Sequence, residues 1–255
     1  MPPRRETGPG NMWDDNADMY RQMAAMEAEY TEHMLSLLPV TKADTVLDVG
    51  CGPGRITVPM ARRAASVTAI DAAEKMLAHC RANVAAAGLT NVDARLLDWK
   101  EAVAGENLER HDIVIASRSV GLYDLKKLTS FAKKYVVTSC WANGPSIPEL
   151  LDQLFAGTSD RPPMLMREDR RLGYNIAFNV AYDLGYDPNL HLVPDGFRRV
   201  FPNRAAAYEE LSALRPLDRD KWGRFTENVD RFLTETDDGV VFEMKTRTYV
   251  MWWEA

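Results

Sequence analysis

The feature that most constrains this chain is an alternation. Short apolar, β-branched runs at 45–50, 66–71, 91–97, 111–116 and 135–140 are interleaved with segments of helical pattern at 55–65, 72–87 and 125–133. Buried parallel strands read as such continuous apolar runs, and helical crossovers join them. The pattern predicts an α/β fold, a doubly wound and mostly parallel sheet with right-handed connections. Gly88 supplies the stop for the helix at 72–87.

The first strand runs into Asp48-Val49-Gly50-Cys51-Gly52-Pro53-Gly54. Glycine at such a turn permits left-handed backbone and lets a ligand approach without a Cβ in the way. The spacing is GxGxG rather than GxGxxG, which disfavours a pyrophosphate cradle. By itself the turn could equally be the tight βα turn of any α/β protein. Two further features sharpen it. Asp71 ends the second strand, where an acid can accept from ribose hydroxyls, and Asp98-Trp99 follows the third. All three strand ends face the crevice in which open α/β sheets bind ligands. Two acids and an aromatic there suit a nucleoside.

VLDVGCGPGRITVPMA, followed by VTAIDAAEKML and then ARLLDW, resembles the class I S-adenosylmethionine-dependent methyltransferases over residues 44–141. The resemblance implies S-adenosylmethionine as cofactor and a seven-stranded Rossmann-like sheet whose last strand is antiparallel. It also implies site roles. Gly50, Cys51, Gly52 and Gly54 form the loop that passes the methionine part of the cofactor, and Asp48 orients that loop near the cofactor's amino group. Asp71 binds the ribose diol, Ala72 and Met76 flank the adenine, Asp98 accepts from its amine and Trp99 packs on it. Ser117 and the residues up to Val120 border the methionine end and the acceptor. Tyr20, in WDDNADMY, reaches the cofactor's carboxylate, although packing of Trp13 and Tyr20 under a lid helix is an equal reading.

One domain is expected over 1–255. It comprises an N-terminal tail and helix (1–40), a cofactor-binding half (41–141), and substrate-side helices with the final strands (142–255). Residues 14–38 read as a helix with Met19, Met23, Met26, Tyr30, Met34 and Leu37 on one face, either a packing face or an adaptable lid. Beyond 141, helices are expected at 147–155, 169–184, 203–214 and 220–236, a strand at 190–193 and a long terminal strand at 240–253. Phe155, Met164, Met166, Tyr174, Phe178, Tyr182 and Tyr186 either wall a small-molecule pocket or form the core of these added helices.

Methyl transfer from a sulfonium needs alignment and exclusion of water, and a base only when the acceptor must lose a proton. Candidates on the acceptor side are Arg118 for a substrate anion, His191 as a base, Tyr123 and Trp141. The segment after the fourth strand lacks an Asn-Pro-Pro-Tyr-like motif, which counts against amide or exocyclic-amine acceptors. Net charge −6 argues against a nucleic-acid partner. Cys51, Cys80 and Cys140 form no CxxC pair and the four histidines are scattered, so no metal site is expected and the setting reads as reducing and cytoplasmic. No apolar run approaches the roughly 20 residues that span a bilayer. The leading reading is a small-molecule methyltransferase. An RNA or protein methyltransferase, or a non-catalytic S-adenosylmethionine-binding protein, is the alternative. A homodimer is compatible with such a chain, and the sequence leaves its oligomeric state open.

Overall fold

The computed structural model describes residues 9–142, 144–159 and 173–255. Met164, Met166, the Pro162-Pro163 loop and the start of the helix expected at 169–184 lie outside them. Five strands run parallel: β1 (Thr45–Val49), β2 (Ser66–Asp71), β3 (Val92–Leu96), β4 (His111–Ser117) and β5 (Ala132–Trp141). Two more continue the sheet, β6 (Asn189–Phe201) and β8 (Gly239–Glu254), in the order β3-β2-β1-β4-β5-β8-β6. β8 is antiparallel to both β5 and β6, as expected of the terminal strand. Alternation along it buries Trp253 completely and leaves Trp252 partly exposed.

β1 lies between β2 and β4, so the chain departs from it to opposite sides of the sheet. Val49 pairs with both Ile70 and Ala116, and Asp71 pairs with Leu96. That register brings Gly50, Asp71, Asp98 and Ser117 to one edge, at the switch point where crevices form.

The helices are α1 (Pro9–Met26), α2 (Ala28–Ser36), α3 (Thr57–Ala61), α4 (Glu74–Ala86), α5 (Leu125–Phe131), α6 (Ile147–Leu154), α7 (Tyr174–Asp183), α8 (Arg204–Ser212) and α9 (Trp222–Asp230). Among the described residues no helix is long and apolar enough to cross a membrane.

Four expectations change. The helix at 14–38 begins at Pro9 and breaks at Glu27. That at 55–65 contracts to α3, because turns occupy the chain after Gly52. The strand at 190–193 continues through Pro194 and Gly196 to Phe201. β6 pairs only with β8, and an edge strand tolerates a proline that donates nothing. The helix at 220–236 stops at Asp230, and Leu233–Thr236 becomes β7, a hairpin partner of β8 through Thr236↔Gly239. Its alternating threonines favour strand over helix.

Four of the apolar and aromatic residues expected either at a pocket or in a core pack in cores. Phe155 belongs to a core shared by α6, α8, α9 and β8, while Tyr174, Phe178 and Tyr186 pack on the core around Trp253. Tyr182 is exposed.

Candidate functional site

A cavity of about 260 Å3 occupies the crevice at the carboxyl ends of β1, β2 and β4. α1 roofs it. Asp14 on α1 accepts from the Lys75 N–H at 2.9 Å, Asp18 lies 3.0 Å from His79, and Ala17 packs on Ala73 and Met76. Trp13 and Tyr20 meet edge to face at 5.7 Å, and both line the cavity. Burial pushes the Tyr20 phenol up. The methionine face of α1 divides: Met26 packs in the core, and Met23, also buried, lines the cavity too.

The glycine loop forms one wall. Gly50 has φ +69°, and a Cβ on it would lie 2.6 Å from the Ser119 Cβ. Gly52 has φ +54°, and a Cβ there would meet only the Met76 sulfur at 4.0 Å. The two Asp71 oxygens accept from the N–H groups of Gly52 (2.8 Å) and Ala73 (2.9 Å). One carboxylate therefore ties the loop to the start of α4. Burial pushes its pKa up, against the pull of these N–H groups. Cys51 also lines the cavity, and its thiol is pushed up by its hydrogen bond with Cys80 and by burial.

Ala72, Met76, Asp98 and Trp99 line the neighbouring stretch. Asp98 accepts from the Lys100 N–H at 2.9 Å. Trp99 is nearly closed to solvent, 5.0 Å from Phe131, with the Lys127 ammonium 4.7 Å from its ring.

At the other end of the cavity lies a group of buried ions. Arg118 directs one terminal nitrogen to Glu27 (2.7 Å) and the other to Asp195 on β6. Arg55 donates to Thr31 Oγ1 (3.1 Å) and to the Ser117 hydroxyl, and its Nε lies 3.7 Å from Glu27. Burial works against both guanidinium charges and lowers the Arg55 pKa. At Arg118 the carboxylates of Glu27 and Asp195 outweigh it, so that pKa is raised. Ser117 also shares a hydrogen bond with Ser139 at 2.7 Å. Arg118 has φ +52°, the one non-glycine residue with positive φ among those described.

Several residues expected at the site are elsewhere. Gly54 faces α4, where a Cβ would lie 3.0 Å from Cys80 Sγ, so its role is helix packing. Asp48 is buried behind the loop and accepts from Thr57 Oγ1 at 2.6 Å, a place from which it can orient the loop although it does not line the cavity. Tyr123 is 92% exposed on a turn outside it. His191 is exposed on the edge strand, stacked on Trp252 at 5.1 Å, and is no base for this crevice. Arg118 and Trp141 do line the cavity, but the charge of Arg118 is already taken by two protein carboxylates. Glu27, Arg55 and Asp195 were not anticipated. Glu27 stands four residues after Met23, at the break between α1 and α2, and that spacing was the available signal.

Asp48 gives a test of burial. Desolvation raises its pKa from 3.8 to about 6. The folded protein thus holds this proton more tightly than the unfolded chain. The stabilisation is full below the unfolded value and is lost as pH rises through about 6. Asp48→Asn should therefore gain on the wild type by about 2 kcal/mol between pH 4 and pH 7, read by urea unfolding at each pH. A constant difference would mean that Asp48 is solvated.

Residues 46–136 match the family model described as methyltransferase domain. Over 111 residues the chain is 32% identical to trans-aconitate 2-methyltransferase of Delftia acidovorans, covering 43% of this chain and 40% of that protein. Over 84 residues it is 37% identical to the 23S rRNA (uracil(1939)-C(5))-methyltransferase RlmD of Alkalilimnicola ehrlichii, covering 33% and 17%. The chain spans less than half the length of these curated relatives. The crystal structure of precorrin-8w decarboxylase from Methanobacterium thermoautotrophicum superposes with a TM-score of 0.53 at 18% identity, covering 89% of this chain and 90% of that one. That likeness concerns the fold.

Proposed function

We propose, for a chain that belongs through residues 46–136 to the class I S-adenosylmethionine-dependent methyltransferases, that it transfers a methyl group to a small-molecule acceptor. The observation that carries the choice of acceptor is the enclosure of the crevice under α1. Its volume of about 260 Å3 falls just below the range for small-ligand sites, roughly 300–1,000 Å3, and a folded nucleic acid or protein could not enter it without displacing the helix. The net charge of −6 points the same way. We read residues 1–255 as one methyltransferase domain, since α1 roofs a crevice in the sheet that β6 and β8 complete.

The donor set fits the cofactor. A side chain at Gly52 would enter the crevice, so the bare backbone leaves room for a ligand. Asp71 keeps lone pairs for a ribose diol beyond the two N–H groups it already accepts, and Asp98 supplies a second acceptor for an amine. Met76, Ala72 and Trp99 offer apolar surface for a flat base. When bound, S-adenosylmethionine supplies a methyl group already activated on a sulfonium. The loop and Asp71 fix the ligand's position, which is the larger part of what such a displacement asks of a protein. Trp13, Tyr20 and Met23 close the crevice to water.

Calorimetric titration with S-adenosylmethionine and S-adenosylhomocysteine tests the reading, and micromolar binding of both is expected. Failure of both to bind would overturn it. Asp71→Ala should weaken S-adenosylhomocysteine binding by about 1–3 kcal/mol, the cost of losing hydrogen bonds to a charged group. Wild-type affinity in that variant would remove Asp71 from the ribose site.

A further inference from the structure

Two neighbouring side chains in the crevice carry a donor that nothing among the described residues accepts. Arg118 Nε and Trp141 Nε1 are both buried and without a hydrogen-bond partner. The guanidinium carbon of Arg118 lies 5.5 Å from the Trp141 ring, and both side chains line the cavity beside Met23, Ile147 and Pro148. Buried donors are almost always paired, so two unpaired ones in contact ask for an explanation. Arg118 is also held in left-handed backbone that a residue with a Cβ seldom adopts. Strain of that kind gathers where ligands are clamped.

The charge around them narrows the ligand. Both terminal nitrogens of Arg118 are taken, one by Glu27 and one by Asp195. An anion would find no bidentate face on Arg118, and the ions of this group already cancel, Arg55 and Arg118 against Glu27 and Asp195, so none is left over to hold it. The remaining N–H groups suit an oxygen without charge. We propose that Arg118 Nε and Trp141 Nε1 hold an uncharged oxygen of the methyl acceptor, a carbonyl, ether or hydroxyl, while Met23, Ile147 and Pro148 contact its apolar body. The acceptor class is then a neutral, oxygen-bearing, largely apolar small molecule. This rests on the methyltransferase reading above.

The test uses the full chain saturated with S-adenosylhomocysteine, titrated with benzamide and with benzoate, which match in shape and differ in charge. The readout is the Trp141 indole N–H resonance, assigned by its absence in Trp141→Phe. Benzamide should shift that resonance at millimolar concentration, and benzoate should bind about tenfold more weakly or worse. Trp141→Phe should weaken benzamide about fivefold or more, while the Tm of the unliganded protein stays close to wild type, since the gain from removing an unpaired donor offsets the loss of part of the ring system. Benzoate binding as well as benzamide would overturn the inference, as would a resonance that neither probe moves. A Trp141→Phe variant with lower Tm and unchanged benzamide affinity would make the indole a packing group and overturn it too. If Trp141→Phe weakens S-adenosylhomocysteine but not 5′-methylthioadenosine, the donors serve the cofactor's amino-acid end and the inference fails. Absence of S-adenosylhomocysteine binding to the wild type would instead sink the methyltransferase reading itself.

Discussion

Gly52→Val is expected to weaken binding of S-adenosylhomocysteine by about 100-fold or more while the protein stays folded. The two halves of that expectation have separate causes. Gly52 has φ +54°, and a β-branched residue there is strained by roughly 1–2 kcal/mol. A domain of ordinary stability survives such a cost with its Tm a few degrees lower. The new Cβ meets only the Met76 sulfur at 4.0 Å, so it presses on no backbone. Asp71 still accepts the N–H of residue 52, so the loop keeps its tether. What the side chain enters is the crevice itself, and there it takes the ligand's place. Gly52→Ala shares the backbone strain with less of the obstruction, and its affinity should fall between wild type and Gly52→Val. The measurement is calorimetric titration of all three proteins beside their thermal melts. Normal affinity in Gly52→Val would mean that no ligand passes this wall.

The parts of the site that could be read from the chain are those that local patterns encode. β1, its glycine turn and Asp71 lie within 27 consecutive residues, 45–71, and both strands there are continuous apolar runs. The crevice follows from strand ends sharing one edge, which the alternation alone predicts. The parts that could not be read depend on contacts between distant segments. Glu27 looks like one more polar residue in a helical stretch. Its spacing from Met23 points to a buried face, but its partner Arg118 stands 91 residues on and comes within 2.7 Å only in the fold. Pro194-Asp195-Gly196 has the composition of a turn, and the strand pattern at 190–193 stops short of it. The pairing of Pro194 with Arg247 and Gly196 with Lys245 carries the strand through it and delivers Asp195 to Arg118. Gly54 and Asp48 were placed at the site because they belong to its motif, yet one faces α4 and the other supports the loop from behind. A motif fixes the shape of the turn, and each residue in it need not touch what the turn holds.

Arg118→Met is expected to cost about 3–5 kcal/mol of stability, the range for leaving buried charges without their partner. Arg118 is the centre of the ion group. It joins Glu27, at the break between α1 and α2, to Asp195 on β6. Methionine preserves the apolar stem and much of the volume, so the loss is of charge rather than packing. Among the described residues, Glu27 would keep only Arg55, at 3.7 Å, and Asp195 only the N–H of Gly196. Neither replaces a guanidinium, and both acids are nearly closed to solvent. Arg118→Met/Asp195→Asn should recover a substantial part of the loss, because the second change removes a charge that the first has stranded. The two effects are therefore non-additive, and a double-mutant cycle by urea unfolding reads the difference. Arg118→Met should also loosen α1, since Glu27 is its last fixed point before α2. Hydrogen exchange over Pro9–Met26 should then rise by more than exchange in α4. A stability within about 1 kcal/mol of wild type would mean that water reaches these ions and that each solvates alone. The roof of the crevice would then be held by Asp14, Asp18 and the apolar contacts of α1 only.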